Sequence, residues 1–147
     1  MAETLGSLCD KLTIVKLKQW HAEDKNKQQS LAEQELQLRN EIDEYIAASV
    51  TGQISFERLT FAANKIYKQE GNVVAEISGN FGEVFSQLAD VNCKLWHEQE
   101  RVYDFENVSA EQKNVVIKHL AILNLERNKC IDRLNIFFLE SIRSNNK

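Results

Sequence analysis

Arg127 is the residue whose surroundings say most about chemistry. It stands on a stretch whose apolar residues Val116, Leu120, Leu123 and Leu134 fall on one face at about 100° per residue, and Arg127 falls among them. A guanidinium covered in this way needs an anionic partner, unless its long stem carries it to the bundle edge. A carboxylate from another helix makes the pair structural, and breaking such a pair costs ~3 to 5 kcal/mol because an unpaired charge stays buried. A bound phosphate or carboxylate instead makes Arg127 the anchor of a ligand site, since its planar fork suits both groups. Asn124, Asn128 and Asn135 flank it, while Asn92, Gln99 and Glu100 are placed to face it from the preceding stretch. The candidate ligand-binding set is therefore Arg127, Asn124, Asn128, Asn92 and Glu100, with structural pairing the favoured reading of Arg127.

Other constellations are poorer. Cys93 and His97 share a helix face at i, i+4, but no second pair at metal spacing accompanies them. A carboxylate-bridged metal bundle needs Glu-x-x-His, and none of His21, His97 or His119 follows a Glu at that spacing. Glu41 and Glu44 form one half of a Mg²⁺-collecting pattern whose other half is missing, so they read as a solvated acidic face. Ser78 to Gly82 lacks the lysine and preceding strand of a phosphate loop, and no Ser or Cys stands in an activating context. No catalytic residue, metal ligand or cofactor is predicted.

The elements that must carry these residues are helical. Pro is absent and Gly occurs five times in 147 residues, so the strongest helix breakers are nearly excluded. Apolar spacing predicts helices from about Glu3 to Lys27, with Leu5, Leu8, Leu12 and Val15 on one side and Ile14 and Leu17 on another, and from Gln29 to Ser49. A third helix follows Ser55 through Phe56, Leu59, Ala63, Ile66 and Tyr67 and stops at Gly71-Asn72. Ile77, Phe81, Val84, Leu88, Val91, Leu95 and Val102 then recur at steps of four and three, the seam of a helix packed lengthwise. A capping box at Ser109 to Gln112 opens a last helix running to about Ser144. The loop from Asp104 to Val108 is short enough to make the last two helices antiparallel neighbours. The fold class is all-α, one domain over residues 1–147, a bundle of four to five helices with a long antiparallel C-terminal pair.

Composition sets the outer bounds. With 43% apolar and 27% charged residues the chain is expected to hold a full core without staples. A net charge of -4 with scattered cations gives no footprint for a nucleic-acid partner. No secretory signal opens the chain, and the longest uncharged run, Tyr45 to Phe56, is too short for a membrane span. A cytoplasmic location is expected. Cys9, Cys93 and Cys130 read as reduced core or near-core thiols, and Trp20 and Trp96 as core-packing residues first and interface residues second.

Asp10-Lys11-Leu12-x-Ile14 is echoed by Asp132-Arg133-Leu134-x-Ile136, and Trp20-His21 by Trp96-His97, but at different offsets, so no duplication follows. At Asp10 to Ile14, at Leu95-Trp96 with Glu98, Glu100 and Arg101, and at Asn124 to Asp132, the chain resembles a group of uncharacterised small bacterial helical proteins. The resemblance spans most of the chain and departs at His97 to Glu100, where a more regular acidic pair is expected. It implies a helical bundle and a gene context of surface-polysaccharide synthesis, with no established activity. Two functions follow as expectations. The first is a non-enzymatic interaction or assembly module that self-associates or takes a protein partner; the alternative binds a small anionic ligand, a sugar phosphate or nucleotide, or assists an enzyme of glycan metabolism.

Overall fold

The computed structural model describes residues 3–59 and 77–145. Its order is α1 (Leu5–His21), α2 (Lys25–Val50), α3 (Phe56–Leu59), α4 (Phe81–Tyr103), a 3-10 turn at Phe105–Asn107 and α5 (Ala110–Asn145). All described elements are helical, and four of the helices are long. None of the described helices is long and apolar enough to cross a membrane.

Local chemistry sets the helix ends. Thr4 and Ser7 cap α1 reciprocally, each side chain taking the other's backbone N–H, at 3.0 and 3.2 Å. The first break falls at residues 22–24, earlier than the predicted Lys27, because the Asp24 carboxylate accepts the Asn26 N–H at 2.8 Å and starts α2 there. Gln28 then donates back to the Gln19 carbonyl at 2.7 Å, pinning the turn. Only Phe56–Leu59 of the predicted third helix is described; Ala63, Ile66, Tyr67 and the Gly71-Asn72 stop lie outside the described residues. Helix α4 starts at Phe81 and not near Ile77, because Gly79 turns through φ 114°, a conformation that favours glycine. At Ser109 half of the predicted capping box forms: its hydroxyl accepts the Gln112 N–H, while the Gln112 side chain accepts from Arg101, each at 3.3 Å.

Helices α4 and α5 pack along their length, as the seam predicts, with Val84, Leu88, Val91 and Leu95 buried on α4 against Val116, Cys130 and Leu134 on α5. Helix α1 lies across both. Gly6 meets Asn135 and Asp10 meets Arg127, so α1 is antiparallel to α5; Asp10 meets Asn92 and His21 stacks on Trp96, so it is parallel to α4. Helix α2 returns along α1 and reaches α5 where Tyr45 packs on Phe138. At Gly6 the approach is so close that a Cβ would stand 2.5 Å from the Ile131 carbonyl.

The main core is therefore at one end of the bundle. Leu5, Leu8, Cys9, Tyr45, Leu59, Leu88, Cys130, Leu134 and Ile142 form one buried cluster there. At the opposite end α4 and α5 continue as an arm with thinner cover. Two sequence expectations fail in this region. Trp20 is 86% exposed, since it lies about 120° around α1 from Leu8. Cys93 is exposed, about 200° around α4 from the buried Val91, whereas Cys9 and Cys130 are buried thiols as expected.

Candidate functional site

A buried polar layer crosses the bundle between the core and the arm. Helix α1 contributes Asp10, whose side chain is 7% exposed, and α5 contributes Arg127, at 33%. The pair is bidentate: Nε donates to Oδ1 at 2.9 Å and Nη2 to Oδ2 at 2.6 Å. The hydrogen bond to Asp10 pushes the Arg127 pKa up against the opposing pull of burial, so the guanidinium stays charged. Arg127 thus has a carboxylate partner from another helix.

Asn92 on α4 completes the layer. Its Nδ2 donates to Asp10 Oδ1 at 3.0 Å and to Thr13 Oγ1 at 2.7 Å. The Thr13 hydroxyl spends its own hydrogen on the Asp10 backbone carbonyl at 2.7 Å, which leaves it an acceptor toward Asn92. This settles the amide's orientation, because turning it over would set the Asn92 oxygen against two acceptors, Asp10 Oδ1 and Thr13 Oγ1. Asn92 Oδ1 is left with no hydrogen-bond partner among the described residues, although Asn92 is only 1% exposed. An orphaned acceptor at that depth carries a desolvation cost of ~1 to 3 kcal/mol unless something donates to it.

Asn92 and Arg127 both line a partly open cavity of about 240 Å³ bordered by α1, α4 and α5. Lys18 adds a second cation, Gln99 and Asn124 add amides, and Ile14, Leu95 and Trp96 supply apolar wall. This lining contains no carboxylate. Arg127 also borders a larger cavity of about 590 Å³ between α1 and α2, and there the lining is mixed, with Asp10, Glu3 and Glu41 beside Lys11 and Lys18. A third hollow, about 450 Å³, lies on the arm between α4 and α5, lined by Cys93, Lys94, His97, Glu98, His119, Ile122 and Leu123.

The structure brings together only part of the predicted ligand set. Arg127, Asn92 and Asn124 share the small cavity with Gln99. Asn128 does not line it: its amide bonds the Asn124 carbonyl at 2.8 Å within α5. Glu100 does not reach Arg127 either. It is exposed on α4 and accepts the Trp96 indole N–H at 2.9 Å. Asn135 belongs to the core end, where it donates to Thr4 Oγ1 at 3.0 Å and accepts the Gly6 N–H at 2.7 Å. Sequence reasoning passed over Asp10, Thr13 and Lys18. A signal for Asp10 existed, because a carboxylate on a helix apolar on two sides has little water to face and must find a cation.

The Cys93, His97 and His119 side chains border one hollow, yet no group of three or more His, Cys, Asp or Glu among the described residues is arranged to hold a metal ion. Comparison with protein-family models, with curated proteins and with solved structures finds no match to this chain.

Proposed function

We propose that the protein is a helical assembly module that self-associates through the outer side of its α4–α5 arm. The observation behind this reading is where the apolar side chains of the arm face. Val115, His119 and Ile122 recur on α5 at i, i+4 and i+7, and Val115 is 40% exposed. Across the hollow stand the exposed Cys93 and His97 of α4. Helix α1 covers the opposite side of the arm through Asn92 and Arg127, so among the described residues this outer side has two of the helices that a bundle needs around a seam.

A second copy is the partner of choice on two grounds. Two arms packed by a two-fold axis complete a four-helix bundle from identical parts. Finally, Lys94, Glu98 and the two histidines put both signs around the hollow, so the face can complement itself. Tyr103, at 85% exposure, ends the same arm and extends the contact.

Sedimentation velocity from about 1 to 100 µM tests this reading. The expected result is a concentration-dependent shift from monomer to dimer, abolished by Ile122→Glu with Val115→Glu while the helical circular dichroism is kept. A wild-type chain that stays monomeric throughout the range removes the proposal, as does a dimer indifferent to those substitutions.

A further inference from the structure

We infer that two copies of this chain hold a zinc ion between them at the centre of the arm interface, bound by Cys93 and His97 of each copy. The inference rests on the self-association reading and concerns what a two-fold axis through the hollow brings together. Cys93 and His97 stand one helical turn apart on α4, at i and i+4, so both side chains leave the same face and border the same hollow. Both residues are exposed, and neither has a hydrogen bond or ion pair among the described residues, so the thiol and the imidazole are free to take a ligand.

Such a pair fills two positions around a tetrahedral ion and leaves it two ligands short. One chain does not make up the difference. His119 and Glu98 border the same hollow, yet among the described residues no three His, Cys, Asp or Glu side chains are arranged to hold a metal. Glu98 is engaged elsewhere, with Arg101 Nη1 at 3.6 Å and the His119 ring at 3.8 Å. The half site therefore needs a second half, and an isologous contact supplies one, because each residue near the axis meets its own copy there. Two thiolates and two neutral imidazoles then form a closed tetrahedral shell, the ligand set of a structural zinc site. These soft and borderline ligands select zinc over magnesium or calcium. The two thiols release their protons to solvent on binding, and the two thiolates cancel the charge of the ion, so the covered site carries no net charge. Lys94 does not oppose the metal, since Asp90 holds its ammonium one turn back along α4 at 3.0 Å. Ile122 and Leu123 add apolar lining around the ligands.

The test reads assembly and metal separately. Sedimentation velocity is run on chelator-treated protein and on the same protein with one zinc ion per two chains, and a cobalt titration is followed by the visible absorption of tetrahedral, thiolate-bound Co²⁺. Zinc should tighten the dimer at least about tenfold, and the cobalt spectrum should saturate at one ion per two chains. Cys93→Ser and His97→Gln, both at exposed positions, should keep the helical circular dichroism and the metal-free dimer but lose the zinc response and the cobalt spectrum. Ile122→Glu with Val115→Glu should lose the cobalt spectrum although both of its ligands are intact, because the second copy is gone. A chain that dimerises with chelator and is indifferent to zinc overturns this inference and leaves the assembly reading standing. A chain monomeric under both conditions overturns both. Saturation at one ion per chain, a cobalt spectrum that survives Ile122→Glu with Val115→Glu, or a zinc response kept by Cys93→Ser overturns the inference equally, since each puts the metal somewhere other than between two copies.

Discussion

Removing Arg127 should destabilise the protein through the partner it leaves behind. Arg127→Ala deletes bonds of 2.9 and 2.6 Å to the Asp10 carboxylate, whose side chain is 7% exposed and keeps the Asn92 amide as a donor. A fully buried pair broken in this way costs ~3 to 5 kcal/mol. Here the guanidinium is a third exposed and water can approach along the cavity between α1 and α2, so the expected loss is about 2 to 3 kcal/mol. At about 2 to 4 °C per kcal/mol for a domain of this size, Tm falls by roughly 5 to 10 °C. Asp10→Ala should cost less, about 1 to 2 kcal/mol, because Arg127 can turn toward water where Asp10 cannot. The decisive double variant is Arg127→Met with Asp10→Leu. Replacing both charges with apolar groups should recover much of the loss, giving a coupling of ~1.5 kcal/mol or more in urea denaturation. Additive single losses, or an Arg127→Ala penalty below about 0.5 kcal/mol, would refute the assignment of the pair as the lock between α1 and α5.

Helix approach can be probed at two glycines with opposite outcomes. Gly6→Ala forces a Cβ to within 2.5 Å of the Ile131 carbonyl and 2.9 Å of Asn135 Oδ1 and should cost about 1 to 3 kcal/mol, whereas Gly82→Ala meets nothing within 4 Å and should gain about 0.5 to 1 kcal/mol by denaturant titration. Of the three cysteines, Cys93 should react with an aromatic disulfide reagent within seconds under native conditions, while Cys9 and Cys130 react only after unfolding. Burial pushes both of those thiols up to about 11. Because the folded state holds these protons more tightly than the unfolded one, their contribution to stability is complete below pH 9 and is lost as pH rises toward 11. Stability should therefore fall by up to ~1.4 kcal/mol per pH unit per thiol over that window, and the Cys9→Ala, Cys130→Ala double variant should show a flatter profile.

The helical class was readable because steps of three and four are a direct imprint of α-helix geometry, and the α4 seam from Val84 to Leu95 is buried where the spacing places it. Helix ends were less legible. Asp24 starts α2 four residues before Gln29 because a side chain bonding its own backbone outweighs the continuity of apolar spacing. For Arg127 the pattern on its own helix was enough to require an anionic partner, but its source lay 117 positions away at Asp10. Pairing between helices depends on their crossing, which local periodicity does not encode. The same reason separates Asn92 from Glu100. Both belong to the same helix, yet Asn92 faces α1 and Glu100 turns back to Trp96. Lys18 was overlooked because an exposed lysine looks ordinary until a cavity is seen beside it.

Amide hydrogen exchange at two protein concentrations tests the assembly reading most directly. Between about 2 and 100 µM, amides of α4 and α5 around Cys93, His97, His119 and Ile122 should become protected as the arm is covered, while those around Leu88 and Leu134 in the core stay unchanged. Concentration-independent exchange along the arm, or protection confined to the α1 side, would contradict the account.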